Sequence, residues 1–345
     1  MSVQEVEEPL QEQPGGEGPA KRGLKSRGLL QQFSLLGAWA AVIICFGVLK
    51  PDQYFTLGNF SSIFGSNAVL AVLALGLIIV LRAGDFDLSV ASTMTFSGVL
   101  LAVLTVHQNI PLVAAIMLTL LSGALIGAVN AFIVLVLNVD SFITTLGVAT
   151  LLQGLTLWVS NNQTITGIPE SLINAVVVYR VGSIPLEFYY ALALMLVLWY
   201  LFRYTSVGRR LLFVGKNREV SRLSGLRVGR VRLGAFVSGA LVASFAGVLY
   251  SGTSGSADPT SGLSYLLPAF AAAFLGATCI EVGEFNPIGT LVAVYFLVSG
   301  ISGLAVIGVP SFVQQLFYGG ALIVAVAGSE LVSRSKSTRR RGRAA

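Results

Sequence analysis

Residues 203–232 read RYTSVGRRLLFVGKNREVSRLSGLRVGRVR and carry nine basic residues against a single acid, Glu219. Long apolar segments lie on both sides of this stretch. Each of its cations would cost about 2.5–3.5 kcal/mol at the centre of a membrane helix, so the stretch must remain in water. Its excess of Lys and Arg predicts that it faces the cytoplasm. The stretch therefore predicts a basic, partly apolar cytoplasmic loop between two membrane spans, with the character of a docking surface.

The composition indicates an integral membrane protein. Of the 345 residues, 54% are hydrophobic and 11% are charged, and the mean hydropathy is +0.81. Soluble domains contain about 25% charged residues. The formal charge of +6 lies mainly beside apolar spans, so membrane orientation explains it and no nucleic-acid partner is expected. One histidine, His107, and two distant cysteines, Cys45 and Cys279, predict neither a metal site nor a disulfide framework.

The apolar runs predict an all-α fold: a polytopic helical membrane protein with about ten transmembrane helices and both termini in the cytoplasm. The predicted spans are 33–49, 66–82, 89–106, 111–137, 142–159, 188–202, 233–252, 265–278, 287–307 and 311–332. Several are shorter than the ~20 residues of a straight crossing, so short Gly-rich spans such as 265–278 are candidates for broken or tilted helices. With the N-terminus inside, twenty of the 22 basic residues fall in cytoplasmic segments, which supports this orientation.

The chain divides into three regions. Residues 1–32 are predicted to be a disordered cytoplasmic tail, because they are rich in Gln, Gly, Pro and Glu. Residues 33–332 form the transmembrane domain, with the cytoplasmic loop 203–232 inside it. Residues 333–345 form a basic cytoplasmic tail that is expected to contact the anionic surface of the lipid bilayer.

Two kinds of chemical machinery are missing from the sequence. It contains no G-x-x-x-x-G-K-[ST] phosphate loop, so no ATPase is expected on this chain. The predicted spans also contain no carboxylate, since Asp85, Asp87 and Asp140 fall in cytoplasmic turns and Glu187 falls outside. Ion coupling therefore has no obvious side chains, and the driving force is expected from a partner. Two alternatives remain: an ion-coupled secondary transporter of a small polar solute, and an intramembrane enzyme.

Neutral polar residues within spans allow two interpretations. Asn130 and Gln153 can form interhelical hydrogen bonds of about 0.6 kcal/mol, or they can contact a neutral solute. The long external segment 160–187 is equally consistent with a simple connection and with a surface on which an external binding protein lands. Gly123 and Gly127 form a GxxxG face for close helix packing.

The basic loop also contains signals for a short helix. Asn217 is a candidate N-cap, Arg218–Ser224 can form the helix, and Gly225 suits the left-handed position after its end. Val220 and Leu223 would share one face. Such a helix, held between two spans, could move those spans when a partner pushes it. Arg230 and Arg232, beside the next span, are assigned to orientation, and Asp85 and Asp87 to capping of the span that follows them.

Several motifs follow one another along the chain. They are GDFDLSV at 84–90, Asn130, DSFITTLG at 140–147, QGL at 153–155, TSVGRR at 205–210, VGKN at 214–217, RLSGL at 222–226, FLGAT at 274–278 and PIGT at 287–290. In this order and spacing they resemble the inner-membrane permease subunits of ribose-type sugar ABC importers, over roughly residues 66–330. Three departures stand out: Gln153 in place of a basic residue, Val220-Ser221 in place of an alanine pair, and EVGEFN at 281–286 in place of a Gly-Gly-Arg-Gly-like turn.

The resemblance implies a transport subunit that carries no catalytic residue and no cofactor. ATP and Mg would be bound by a separate cytosolic ATP-binding cassette subunit, an extracytoplasmic solute-binding protein would deliver the solute, and a second permease copy would complete a dimer in the plasma (inner) membrane. The solute would be a small neutral molecule such as a ribose-like or xylose-like monosaccharide. Residues of the ATPase-coupling loop would be Gly208, Arg209, Arg210, Gly215, Asn217, Arg222, Ser224 and Gly225. Candidates for the translocation path are Asn130, Phe142, Thr145, Gln153 and Phe274, and candidates for gating or capping are Asp85, Asp87 and Ser89.

Overall fold

The fold is a bundle of helices, as the apolar segments predict. The computed structural model describes the backbone of residues 19–341 and the side chains of residues 33–327. The helices are α1 (Pro19–Leu49), α2 (Pro51–Tyr54), α3 (Leu57–Phe64), α4 (Ala68–Arg82), α5 (Val90–Ala102), α6 (Leu112–Val136), α7 (Ser141–Val159), α8 (Glu170–Ile173), α9 (Leu186–Tyr204), α10 (Ser206–Lys216), α11 (Arg218–Leu223), α12 (Val228–Ser254), α13 (Leu263–Gly276), α14 (Pro287–Val306) and α15 (Phe312–Arg341).

Two π-helical turns and four very short strands complete the described elements. The π-helical turns are Val103–His107, which continues α5, and Asn174–Val178, which continues α8. The strands are β1 (Ile165–Thr166), β2 (Arg180–Val181), β3 (Ile184–Pro185) and β4 (Ser256–Ala257). β1 pairs antiparallel with β4, and β2 pairs antiparallel with β3. Each strand has only two residues, so the fold remains essentially all-α.

Among the described residues, seven helical segments are long and apolar enough to cross a membrane. They are Leu57–Arg82 (α3 and α4 together), Val90–His107, Leu112–Val136, Ser141–Val159, Leu186–Tyr204, Val228–Ser254 and Pro287–Val306. Three shorter apolar helices, Phe33–Leu49, Leu263–Gly276 and Phe312–Ala327, coincide with the three remaining predicted spans. The chain is therefore a polytopic helical membrane protein, and the count of ten stays a prediction.

The terminal boundaries differ from those predicted. α1 begins at Pro19, so residues 19–32 are helical although the whole segment 1–32 is predicted to be disordered. Extending an existing helix costs far less than nucleating a new one, which explains how the apolar span carries helix into the polar segment before it. Residues 1–18 lie outside the described residues. At the other end α15 runs to Arg341, into the predicted basic tail.

α4 and α12 form the centre of the bundle. Every residue of α4 from Ala68 to Arg82 is buried, which is the burial pattern of a helix that is apolar all round. α12 packs against α4, α5 and α6, and small residues allow the close approach. A Cβ at Gly127 of α6 would lie 2.5 Å from the carbonyl oxygen of Phe236 in α12. Gly123 faces Ser244 of α12 equally closely, so the predicted GxxxG packing face is confirmed.

α13 begins partway along the bundle. The turn before it packs on the start of α5: a Cβ at Gly262 would lie 2.6 Å from the carbonyl oxygen of Ala91. Ala91 lies in the first turn of α5. The 258–262 turn therefore extends along α5 as far as its first turn. α13 has only 14 residues and contains Pro268. A half-length helix entered from a re-entrant turn is therefore what the short Gly-rich segment 265–278 encodes.

The loops gather at the two ends of the bundle. One end, which we call the basic end, contains residues 83–89, 137–140, 205–227 and 277–286. The opposite end contains the β1–β4 pair and contacts such as Asn59 with Ser302, whose side-chain oxygens are 2.7 Å apart. Successive loops along the chain lie at one end and then at the other, as expected when consecutive helices cross a membrane.

Candidate functional site: a loop assembly at the basic end and a polar cleft

α10 and α11 form the core of the basic end, and local hydrogen bonds define where each begins. Thr205 is the N-cap of α10, and its hydroxyl accepts from the backbone N–H of Gly208. Asn217 is the N-cap of α11, and its side-chain oxygen accepts from the N–H of Val220 at 3.0 Å. Gly225 follows the end of α11 at φ +80°, a left-handed conformation that glycine adopts without strain. The short helix predicted from these caps is confirmed.

Two glycines join this loop to the α4–α5 turn. Gly84 lies at φ +80°, and a Cβ added there would be 3.1 Å from the carbonyl oxygen of Gly215. A Cβ added at Gly215 would collide with the carbonyl oxygen of Arg82. Backbone therefore meets backbone at this contact, and a side chain at either position would force the two segments apart.

Asp85 is the ionic centre of the same contact. Its side chain is 1% exposed and accepts two hydrogen bonds from Arg232, Nε to Oδ2 and Nη2 to Oδ1, both 2.6 Å. Arg218 Nη2 also donates to Asp85 Oδ1, at 2.9 Å, and to the carbonyl oxygen of Gly84, at 2.7 Å. Such bidentate, charge-assisted pairs are strong and directional. Asp85 thus joins the α4–α5 turn to α11 and to the start of α12.

This geometry corrects two predictions. Asp85 was expected to cap the following helix, and Arg232 was expected only to orient the protein. The residue that occupies the N-cap of α5 is Ser89, and the Asp85 carboxylate points to the two arginines instead. The ion pair joins residues 147 positions apart in the chain, so the local sequence around either residue does not show it.

Asp87 and Ser89 form a second buried group in the same turn. The backbone N–H and the hydroxyl of Ser89 donate to Asp87 Oδ1 at 2.9 and 2.5 Å. Ser89 Oγ in turn accepts from Asn130 Nδ2 at 2.8 Å. Burial raises the pKa of Asp87 to about 6, although the two bonds from Ser89 oppose that rise. Asn130 is fully buried and anchors the turn to α6.

α7 holds the other side of the turn. Thr145 is fully buried, and its hydroxyl accepts from the N–H of Leu88 at 3.0 Å. The N–H of Phe86 donates to Ser141 Oγ at 3.2 Å. The ring of Phe142 meets the ring of Phe86 edge-on, with centroids 6.4 Å apart. Asn130, Phe142 and Thr145, named as candidates for the translocation path, are thus brought together around residues 84–89.

The acidic turn 281–286 has partners of its own. Glu284 pairs with Lys216 of α10 at 2.6 Å, and Glu281 lies 3.5 Å from Arg203 at the end of α9. Both glutamates also face Arg82, at 3.6 and 3.9 Å, and this arginine donates to the carbonyl oxygen of Phe285 at 2.5 Å. The acidic substitution that departs from the family pattern thus neutralises a buried arginine. It also ties α13 and α14 to the loop.

The remaining residues predicted for the loop fall into two groups. Gly208 is buried where α10 folds back on α9, and a Cβ there would lie 2.5 Å from the carbonyl oxygen of Phe202. Arg209 and Arg210 are exposed. Arg222 is exposed and pairs with Glu219 at 2.7 Å, and Ser224 Oγ donates to the carbonyl oxygen of Val220 at 2.9 Å.

α11 presents an apolar surface to solvent. Val220 is 56% exposed and Leu223 is 76% exposed. The same helix is held to the α4–α5 turn through Arg218, and its Ser221 is buried against the rest of the molecule. A rigidly held helix with exposed apolar side chains has the properties of a docking element.

A polar cleft lies on the other side of the bundle. It has a volume of about 710 Å³ and is formed where α4, α13 and α15 begin. A neighbouring cleft of about 430 Å³ shares Asn67 and Tyr318 with it. Among the described residues, the lining of the larger cleft has no charged side chain. Its polar members are Asn67, Ser264, Tyr265, Ser311, Gln314, Gln315 and Tyr318.

The sequence did not predict this cleft, and two of the candidates for the translocation path lie outside it. Gln314-Gln315 in an otherwise apolar segment was the available signal. Gln153 lies near the turn before α13, in a small crevice with Thr95 and Thr260. Phe274 lies in α13, with its ring 5.4 Å from that of Phe285 in the acidic turn. The five path candidates therefore do not form one site.

Glu187 corrects the expectation that the spans are free of carboxylates. It was placed outside the membrane, but it lies in the first turn of α9 and is 1% exposed. The hydroxyl of Thr253 in α12 donates to its Oε2 at 2.5 Å. Within residues 33–327, no group of three or more His, Cys, Asp or Glu side chains is arranged to hold a metal ion.

Comparisons with known proteins agree with the geometry. The family model "Branched-chain amino acid transport system / permease component" matches residues 59–326. The ribose import permease protein of Escherichia coli (strain K12) is 32% identical over 301 residues, which cover 86% of this chain and 93% of that protein. The D-allose and xylose transport system permease proteins of the same strain are 28% and 27% identical and cover 86% and 88% of this chain, and 90% and 92% of their own.

No solved structure matches the chain. The resemblance read from the motifs is confirmed by these relatives and by the family match, which spans most of the chain. The chain therefore belongs to the family of branched-chain amino acid transport system permease components.

Proposed function

We propose that this chain is the membrane-spanning subunit of an ATP-driven importer of a monosaccharide. The observation that carries the proposal is the similarity, over 86–88% of the chain, to permeases named for ribose, allose and xylose. The chain itself is a transport subunit and not an enzyme. ATP and Mg bind to a separate cytosolic subunit, an extracytoplasmic binding protein delivers the solute, and a second permease copy completes the path.

We further propose ten crossings, with both termini in the cytoplasm of the cell that carries this protein in its inner membrane. The grouping of residues 83–89, 205–227 and 277–286 at one end supports that scheme, because it places them all on the side where positive charge is retained. Lys50 and Arg180, the two exceptions to the charge rule, belong to segments of the opposite end.

The coupling element is α11. When the ATP-binding subunit presses on Val220 and Leu223, the force reaches α5 and α12 through Asp85 and its two arginines. It reaches α13 and α14 through the acidic turn. Because α13 also lines the polar cleft, movement of the loop would alter the opening of that cleft.

The chemistry of the cleft favours a neutral solute. Amide and hydroxyl groups can each donate and accept hydrogen bonds, which suits a polyol. An amino acid, as the family description suggests, carries an ammonium group, and the described lining provides no carboxylate for it.

The first experiment is retention of an ATP-binding subunit by the purified permease. Leu223→Arg and Val220→Arg are expected to abolish co-purification, while the chain still inserts in the membrane. Val181→Arg is the matched control, since Val181 is 54% exposed at the opposite end. Gly215→Arg is unsuitable, because its side chain would collide inside the permease. Equal retention by all variants would contradict the docking assignment.

The second experiment tests the solute class. Proteoliposomes containing the permease, its ATP-binding subunit and the binding protein are expected to take up ribose, xylose or allose with ATP, and not leucine. Gln315→Leu should reduce uptake, whereas Gln163→Leu makes the same change on an exposed loop outside the cleft and should not. Leucine uptake, or sugar uptake without ATP, would contradict the proposal.

A further inference from the structure

A crevice with apolar walls opens between α9, α10 and α12 at the basic end. Its volume is about 410 Å³. Leu201, Phe202 and Val231 are among the side chains of its walls, and Arg210 and Arg230 also line it. Arg210 lies in α10, shortly after the end of α9, and Arg230 lies in the first turn of α12. Both are therefore near the ends of membrane-spanning helices. The crevice thus combines hydrocarbon walls with positive charge at a membrane boundary.

Arg210 and Arg230 belong to the arginines of the loop that form no ion pair among the described residues. Arg203, Arg218 and Arg232 each form an ion pair. Within residues 33–327, no carboxylate pairs with Arg210 or Arg230, and both side chains are exposed. Their charges are therefore available to an anion that comes from outside the chain.

We propose that this crevice binds an anionic phospholipid, with an acyl chain along the apolar walls and the phosphate at Arg210 and Arg230. Arginine forks match phosphate oxygens in paired, charge-assisted hydrogen bonds. Basic pockets between membrane helices recognise anionic headgroups in this way. A soluble anion would use the arginines but would leave the apolar walls unfilled.

The surface of α10 supports a lipid as the occupant. Val207 is 53% exposed and Phe213 is 60% exposed, on the helix that also carries Arg209 and Arg210. A helix with apolar and basic residues lies stably in the membrane interface, where phospholipids surround it. The binding requires only the fold and a bilayer, so it can be tested without transport and separately from the proposed solute.

The test uses the full chain purified in a nonionic detergent. It is titrated with dioleoylphosphatidylglycerol or with dioleoylphosphatidylcholine, and bound lipid is counted by native mass spectrometry. Two variants attack the site in different ways. Arg210→Ala/Arg230→Ala removes the charges. Gly234→Leu puts a large apolar side chain into the crevice, since Gly234 lines it and a Cβ there meets no atom within 4 Å.

Matched controls are Arg227→Ala, an exposed arginine outside the crevice lining, and Gly229→Leu, on α12 and equally open. The wild type and both controls are expected to bind phosphatidylglycerol in preference to phosphatidylcholine. The double arginine variant should lose about 30-fold in affinity, the effect of two cations near an anionic surface. Gly234→Leu should weaken binding at least tenfold.

Three results would overturn the proposal. They are equal binding of the two lipids, wild-type affinity in both crevice variants, and full competition by the water-soluble headgroup glycerophosphoglycerol. The last would identify a site for a soluble anion. Gly234→Leu leaves every ion pair of the loop intact, so it decides the question even if the double arginine variant folds poorly.

Discussion

Asp85→Asn should destabilise the protein strongly although it replaces only one heavy atom. The substitution removes the charge that faces Arg232, whose side chain is only 13% exposed. Removing one partner of a buried ion pair costs about 3–5 kcal/mol, because the other charge is left buried and uncompensated. Arg218 is 46% exposed, so solvent limits its share to about 1 kcal/mol or less. Asparagine still accepts one hydrogen bond, so we expect a loss near the lower limit, about 3 kcal/mol.

The measurement is the free energy of unfolding of the full chain in mixed micelles, obtained by titration with a denaturing detergent. Asp140→Asn is the matched control, since Asp140 is the N-cap of α7 and accepts from the N–H groups of Phe142 and Ile143. Asparagine caps helices about as well as aspartate, so this control should change the unfolding free energy by only a few tenths of a kcal/mol.

A double-mutant cycle isolates the pair. Arg232→Gln should cost a similar amount by itself, and Asp85→Asn/Arg232→Gln should cost less than the two single changes added together. The difference is the coupling energy, which is about 0.5–3 kcal/mol for residues in direct contact. If Asp85→Asn costs no more than Asp140→Asn, or if the two single effects are simply additive, then Asp85 does not hold the loop as described.

Three other predictions concern separate parts of the structure. The pKa of Asp87 is about 6 when folded against 3.8 for the ordinary group, so the folded chain binds more protons between about pH 4 and pH 6. Its unfolding free energy should fall by up to about 3 kcal/mol as the pH rises through that window, and Asp87→Asn should remove this slope in a pH series of unfolding curves. Gly127→Ala should lower the free energy of unfolding by about 1–3 kcal/mol, because the new Cβ meets the backbone of α12. A Cβ at Gly147 meets no atom within 4 Å, so Gly147→Ala should leave stability unchanged or raise it in the same unfolding assay. Glu284→Gln should cost about 2 kcal/mol of stability, since it weakens the neutralisation of the buried Arg82. Lys216→Gln, at a side chain 59% exposed, should cost under about 1 kcal/mol. Equal effects of the two substitutions in thermal unfolding would refute this difference.

The sequence predicted those parts of the site that depend on local chemistry. Asn217 caps α11, and Gly225 ends it, because a side-chain acceptor and a left-handed glycine act within one helical turn. The apolar segments also predicted most helix positions, since a membrane span needs a continuous apolar run. The two glycines of α6 identified a packing face for the same local reason.

Partnerships between distant segments could not be predicted in this way. Arg232 was assigned to orientation, but it pairs with Asp85, and Glu187 was placed outside, but it is buried against Thr253. A charged residue near the end of a span has the same local pattern whether it faces water or an opposite charge. Only the arrangement of helices decides between these two cases.

The sequence by itself determined a helical membrane protein and the family to which the chain belongs. These depend on hydrophobicity, net charge and short motifs, which are properties of single segments. The tertiary structure alone decided that α13 begins partway along the bundle, that residues 84–89 join α6, α7 and α12, and that a neutral polar cleft forms beside α4. Those features arise from the packing of helices far apart in the chain, where close backbone contacts and buried charge pairs select one arrangement among many that share the same apolar pattern.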